Sequence, residues 1–365
     1  MTGKVGYIPR AREIEFYEYE LPDVEPGAVL AQVTRTNVCG SEVHMWRGEF
    51  GKRGIMPGHE MVGHVYRLGK GMTTDTAGQP LREGDRIAPV YYRTCGLCVN
   101  CREGNAAACV TLGTRARRLI PQEPPHFHTT FATHYYIHPG QYVYKVPDDV
   151  PDHAASSANC ALSEVFFGLD RANLRYDETL LVQGAGGLGL HSMAVAKARG
   201  ARVIALDGVD LRLRRATAFG ADELVDMRAY PTMEARIGRV RELTNGLGPD
   251  VVLEVAGVPE AFLEALNLVR NGGRVIEIGN ISIGLTVVVP PALITFKSIA
   301  VMGVATYNPH YLHKALRFLS AHIDRYPYHE LVDAEFPLDH AAEAMEKSDR
   351  KEITRAALVV EGGSL

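Results

Sequence analysis

From residue 5 to residue 146, apolar and polar side chains alternate in short runs broken by glycine and proline, as at 28–34, 63–68 and 85–90. A period of two puts every second side chain on one face, which predicts half-buried strands in a β-rich, barrel-like domain. From residue 177 the texture changes. Short apolar runs at 179–183, 202–206, 251–255, 274–278 and 299–303 are interleaved with longer helical stretches at 188–199, 211–219 and 259–269. That alternation predicts a parallel, doubly wound sheet with crossover helices, an α/β fold. The tail, 309–365, contains a helical stretch and a last strand at 356–360, and such a tail is expected to return to the first domain. Linker-like clusters of proline and polar residues lie at 147–154 and 305–310. The expected division is therefore 1–160 with 305–365 as one domain, and 161–304 as the other.

Composition narrows the function classes. The chain has 365 residues, more than one hydrophobic core usually serves, and its 46% apolar content is that of an ordinary globular protein. A net charge of −4 gives no long-range pull toward phosphate backbones or anionic lipid, so neither nucleic acid nor a membrane is an expected partner. There is no apolar run of membrane-spanning length and no apolar leader near Met1, which predicts a cytoplasmic protein.

Four of the six cysteines, Cys95, Cys98, Cys101 and Cys109, fall within one stretch of the chain. Their spacing lets a single loop wrap a tetrahedral ion, which favours a structural zinc over an iron–sulfur cluster or a set of buried free thiols. Such a closed site offers no position to a substrate.

Gly184-Ala-Gly186-Gly187-Leu188-Gly189 follows the apolar run Leu180-Leu181-Val182 and opens a helical stretch. In that context the glycines predict a dinucleotide pyrophosphate held against a helix N-terminus. Asp207 ends the next strand, where a carboxylate accepts ribose hydroxyls and repels a 2′-phosphate, so the expected cofactor is NAD. The alternative for Asp207 is a simple helix cap. Arg212, Arg214 and Arg215 pull the other way, because an arginine accommodates a 2′-phosphate.

A second metal centre is suggested by Cys39-Gly-Ser41-Glu42-Val-His44 and Gly58-His59-Glu60. A catalytic zinc takes three protein ligands and keeps one position open, and Cys39, His59 and a third residue satisfy this. Cys160 is the chosen third ligand and Glu164 its rival, although spacing alone reads Cys160 more readily as a small buried apolar group.

These motifs resemble, over nearly the whole chain, those of the zinc-containing medium-chain dehydrogenase/reductase (alcohol dehydrogenase) superfamily. Gly58-His59-Glu60 with Gly63 and Gly69 matches its zinc signature. The resemblance implies a GroES-like catalytic domain and a Rossmann NAD-binding domain. It also implies two zinc ions per chain, a catalytic one on Cys39, His59 and Cys160 and a structural one on the four clustered cysteines. Glu60 is then a carboxylate able to approach the metal, and Ser41 and His44 form a proton relay running by way of the cofactor ribose. Trp46 and Tyr91 stand near the substrate, Arg212 stands near the adenosine ribose, and the assembly is a homodimer or homotetramer built through sheet edges. Where many relatives have aspartate this chain has Glu42, and its stretches 73–82 and 114–128 differ from those of better-known members.

The expected reaction moves a hydride from an alcohol, secondary or cyclic in preference, to NAD, with zinc charge easing loss of the hydroxyl proton. The alternatives are a carbonyl reductase using the same residues in reverse and a non-catalytic zinc-stabilised NAD sensor. Arg115, Arg117, Arg118, His126 and His128 either favour an anionic substrate or form a solvated loop, and the loop is the preferred reading.

Overall fold

In the computed structural model, which describes residues 1–50, 54–112, 120–282 and 284–360, the alternating runs of the N-terminal part become seven strands. They are β1 (Thr2–Tyr7), β2 (Glu15–Glu20), β3 (Val29–Asn37), β4 (Glu60–Leu68), β5 (Arg86–Pro89), β6 (His134–Ile137) and β7 (Val143–Lys145). Helix α1 (Gly40–Trp46) leaves the end of β3. Six more strands follow: β8 (Thr179–Gln183), β9 (Arg202–Asp207), β10 (Glu223–Asp226), β11 (Val251–Glu254), β12 (Arg274–Glu277) and β13 (Ala300–Gly303). Between them run α2 (Gly187–Ala198), α3 (Asp210–Ala218) and α4 (Pro259–Leu268), and the chain ends with β14 (Ala334–Pro337), α5 (Ala341–Asp349) and β15 (Ala356–Val359).

The chain divides into two compact units. One comprises Met1–Ser163, Asn308–Ile323 and Tyr328–Leu365, and the other Glu164–Tyr307 with Asp324–Pro327. The tail does come back to the first unit, since β15 pairs antiparallel with β3.

In the first unit a sheet runs in the order β14-β15-β3-β4-β5-β7, with β6 also on β3, and β1 and β2 form a separate pair. The register of β3 on β4 shifts at Leu30/Ala31 and at Val33/Arg35, irregularities that bend the sheet and let β3 serve three neighbours. Val29, Ala31, Val33, Met61, Val65 and Ile87 are fully buried in its core. Burying each such side chain contributes roughly 1.5–3 kcal/mol.

The second unit is one parallel sheet in the order β10-β9-β8-β11-β12-β13. Its inner strands are apolar without alternation, with Leu180, Leu181, Val182, Val251, Val252 and Leu253 all fully buried, as helices on both faces require. Strand order reverses between β8 and β11. In open sheets of this kind the crevice at the carboxyl ends beside that reversal receives ligands.

Candidate metal centres and nucleotide loop

In the four-cysteine lobe, all four sulfurs lie within 4.8 Å of one another. Cys95 Sγ is 3.6 Å from Cys109 Sγ and 4.0 Å from Cys101 Sγ. A disulfide would need about 2.05 Å. Four sulfurs about 2.3 Å from a central zinc are separated by about 3.8 Å, so the observed spacing suits an ion and not a bridge. Backbone amides of Leu97 and Cys98 donate to Cys95 Sγ at 3.5 and 3.3 Å, and the Cys95 amide donates to Cys109 Sγ at 3.3 Å. Burial opposes ionisation of Cys109, yet hydrogen bonds from Thr111 and Cys95 pull its thiol down to about 6. These donors favour thiolate, the form that binds metal.

The second centre brings together Cys39, His59, Glu60 and Cys160, one ligand atom from each lying within 4.8 Å of the others. Glu60 completes this group and Glu164 is not in it. Each ligand is placed by a different local feature. Cys39 caps the N-terminus of α1. His59 follows Gly58, whose φ of +97° is left-handed and whose missing Cβ would lie 2.4 Å from the Phe131 ring, so only glycine turns the chain into β4 there. Cys160 sits in a π-turn over Ala158–Leu162, a widened helical geometry common at functional sites. Next to it the Asn159 amide donates to the carbonyls of His59 at 2.9 Å and Pro89 at 3.0 Å, which ties this turn to β4 and β5.

Glu42, fully buried, fixes two of the ligand segments at once. Its Oε1 pairs with His59 Nδ1 at 2.6 Å and accepts from the Gly58 amide at 3.2 Å, while Oε2 accepts from the Cys39 amide at 2.9 Å. The longer side chain therefore still reaches the histidine. With Nδ1 engaged, His59 turns Nε2 to the ligand side, 3.1 Å from Cys160 Sγ. A hydrogen bond with Cys160, opposed by burial and helped by His59, holds the Cys39 thiol well below its ordinary value. Burial lowers His59, but Glu42 and Cys39 outweigh it and the imidazole is raised well above its usual range.

Behind the ligands lies a buried ion pair that the motifs did not reveal. Arg355 donates to Glu60 Oε2, and Asn37 Nδ2 donates to the same oxygen at 2.9 Å. Burial raises the Glu60 carboxyl and Arg355 opposes that rise. Sheet register brings the three together: Asn37 faces Glu60 across β3–β4, and Ala357 faces Asn37 across β15–β3. Glu60 Oε1 is buried with no hydrogen-bond partner among the described residues. A cation beside the two thiols and the imidazole would satisfy that orphaned oxygen, so the residues present fit a metal ion.

Ser41 and His44 are three residues apart on α1 and so share one face of the helix. Tyr91 stands against His59, ring centroids 4.8 Å apart. Trp46 is 4% exposed, within the main hydrophobic cluster. Tyr307 is fully buried. His126 stacks on Tyr19 and His128 is bonded to the Glu123 carbonyl, while Arg115, Arg117 and Arg118 lie outside the described residues.

In the second unit the glycine run forms the turn from β8 into α2. Gly184 has φ +98°, and a Cβ on Gly189 would lie 2.0 Å from the Gly184 carbonyl oxygen. Around Gly186 no atom of the described residues lies within 4 Å of where a Cβ would be. Two glycines are thus demanded by the chain itself, and the third leaves open backbone at a helix N-terminus. Gly187 and Leu188 are the first residues of α2. Asp207 is 5% exposed, with Oδ2 accepting from Ala185 at 2.8 Å and Oδ1 from Gly208 and Val209 at 2.7 and 2.9 Å. Its carboxylate therefore braces the glycine turn as well as ending β9. Arg212 stands 3.8 Å from it.

Comparison with known proteins agrees with this arrangement. Residues 25–148 match the family described as alcohol dehydrogenase GroES-like domain, and residues 187–321 match the zinc-binding dehydrogenase family. The chain is 33% identical to 5-exo-hydroxycamphor dehydrogenase of Pseudomonas putida, over 94% of this chain and 95% of that one. It is 32% identical to L-threonine 3-dehydrogenase of Anaeromyxobacter dehalogenans, over 72% of each. Among solved structures, an alcohol dehydrogenase from Thermotoga maritima superposes with a TM-score of 0.89 at 25% identity, covering 99% of this chain and 100% of that one. A zinc-binding dehydrogenase from Sinorhizobium meliloti, bound to NADP, gives 0.82 at 25% identity, covering 98% and 99%. A Rossmann sheet with its glycine turn, a GroES-like unit carrying two metal-suited clusters, and relatives that are dehydrogenases identify this chain as a member of the zinc-containing medium-chain alcohol dehydrogenase superfamily.

Proposed function

We propose that this alcohol oxidoreductase is zinc-dependent and NAD-linked and oxidises a secondary, in particular a cyclic, alcohol to the ketone. The observation that carries the reading is the convergence of Cys39, His59 and Cys160 with the orphaned Glu60 oxygen. Bound zinc would supply the positive charge that eases loss of the hydroxyl proton, and bound NAD would accept the hydride. The rest belongs to the chain. Cys39, His59 and Cys160 hold the ion, and Glu42 keeps His59 in the right orientation and tautomer. Ser41 accepts the substrate proton, His44 on the same helix face carries it outward, and Tyr91 forms an apolar wall beside His59.

Secondary carbinols are favoured because the two relatives are named for oxidation at such centres, one bicyclic and one an amino acid. Asp207 supports NAD, because a 2′-phosphate beside this buried carboxylate would be repelled. The relative bound to NADP and the nearby Arg212 make NADP the necessary control. The assembly is proposed to pair through β13, an edge strand with Val301 exposed and Val288 and Phe296 87% and 86% exposed close by in sequence.

The test is NADH absorbance from purified protein with NAD and a panel of primary, secondary and cyclic alcohols, repeated with NADP and after chelation. Turnover of cyclic secondary alcohols with NAD, abolished by chelation, is expected. Equal rates with NADP, or turnover that survives zinc removal, would contradict it.

A further inference from the structure

Beyond α1 the chain reverses sharply. Gly48 has φ +80°, in the left-handed region, and the Glu49 amide donates to the His44 carbonyl at 3.0 Å. This turn folds Glu49 back under the helix it has just left, and Glu49 Oε2 lies 2.5 Å from His44 Nδ1. The carboxylate is itself held. Arg47 Nη1 is 3.6 Å from Glu49 Oε1, Arg47 Nε donates to Asp349 at 2.5 Å, and Arg12 pairs with Asp349 at 2.9 Å. Asp349 is the last residue of α5 and its side chain is 8% exposed, so the network ties three separated segments to one point beside His44. Glu49 itself is 30% exposed and His44 20%. The network thus runs from a well-covered anchor to a partly solvated carboxylate.

We propose that Glu49 is the positioning residue of the proton relay, holding His44 with its proton on Nδ1 so that Nε2 is the basic nitrogen; this rests on the dehydrogenase reading above. A carboxylate at Nδ1 does for a relay histidine what an outer partner does for a ligating one, fixing ring orientation and tautomer together. Each hydride removed from an alcohol releases one proton, which Nε2 takes up from the Ser41 side. The imidazolium so formed is stabilised by Glu49 until that proton passes to water, and no other group changes oxidation state. Arg47, itself anchored by Asp349, faces the Glu49 carboxylate and helps to hold it in place.

The experiment uses the zinc-loaded full chain and the best alcohol of the panel, comparing wild type with Glu49→Gln and Glu49→Asp. Expected for Glu49→Gln is a fall in kcat of about 10- to 100-fold with KM for NAD and alcohol within about twofold and zinc content unchanged. Glu49→Asp should recover part of the loss. In parallel, nitrogen-15 NMR of labelled histidine, with the His44 signals assigned by their absence in His44→Asn, should show the Nδ1-protonated tautomer in wild type and its loss in Glu49→Gln. An unchanged kcat in Glu49→Gln, or an unchanged His44 tautomer, would overturn the proposal while leaving the dehydrogenase reading intact. Wild type inactive with every alcohol would overturn that reading and this proposal with it, even if the tautomer shift were seen.

Discussion

The two cysteine clusters of the first unit are built from the same ligand chemistry in opposite ways. The four-cysteine lobe takes all its sulfurs from one short stretch, and the amides that stabilise them belong to the same stretch. The second centre takes Cys39 from a helix cap, His59 from the residue just before β4 and Cys160 from a π-turn about a hundred residues later. Its supporting carboxylates, Glu42 and Glu60, are both fully buried. A local cluster assembles wherever its loop closes, so it serves as a staple. A dispersed one exists only when the sheet has its register, so it is a product of the whole unit and has room for an oxygen, Glu60 Oε1, that none of the described residues satisfies.

The largest effect should separate the two centres by function. Cys39→Ser or Cys160→Ser is expected to lose one zinc equivalent and nearly all turnover, on the order of a thousandfold or more, with the fold retained. Cys98→Ser should lose the other equivalent and lower thermal stability, while cobalt or zinc still binds at the first centre. Metal analysis alongside NADH absorbance and a melting curve checks both, and equal loss of turnover and stability in the two variants would erase the distinction.

Next in size is the buried pair behind the dispersed centre. Arg355→Met removes the cation that offsets the burial of Glu60, with an expected cost of about 3–5 kcal/mol in urea unfolding of the metal-free protein. Among the described residues the lobe has no counterpart of this pair, so Arg102→Met should change stability by less than about 0.5 kcal/mol.

Acid sensitivity of the fold has to be separated from acid release of metal. His134 is buried and its pKa is lowered to about 4 by that burial. As pH falls through about 6.5 the unfolded chain takes up a proton that folded His134 refuses, so the stability it allows is complete above that pH and is lost progressively down to about 4. The loss amounts to about 3 kcal/mol, and His134→Phe should flatten it in metal-free protein. An unchanged pH profile in that variant would assign the acid effect elsewhere.

The smallest effect tests the carboxylate that braces two of the ligand segments. Glu42→Gln should keep the fold but weaken zinc at the dispersed centre by about 10- to 100-fold in a competition titration, leaving the lobe untouched. Equal weakening at both sites would mean that Glu42 acts through general stability.

The same contrast explains what could be read along the chain. Contiguous signals were legible: the four cysteines, the glycine turn after β8, and the apolar runs that became β8, β9, β11 and β12, each within a residue or so of its expected ends. Cys160 was nameable only through family resemblance, since a lone cysteine in an apolar run carries no spacing signal. Asn159 and Arg355 were missed because their partners are remote; Arg355 is 295 positions from Glu60 and meets it only through the β15–β3–β4 register. Trp46, placed near the substrate only by resemblance, is buried in the main hydrophobic cluster, and an aromatic on a short helix has no local mark telling a pocket wall from an interior. Glu49 left a faint signal, an acidic residue just past a glycine after a helix, but its pairing with His44 depends on a backbone reversal that no periodicity reports.

One measurement bears most directly on the claim that one centre is open and the other closed. Zinc is exchanged for cobalt at both sites, and imidazole is titrated in while the visible spectrum is followed. Imidazole is expected to shift only one of the two cobalt signals, the one missing in Cys39→Ser. A shift that persists in Cys39→Ser, or no shift at either cobalt, would contradict it.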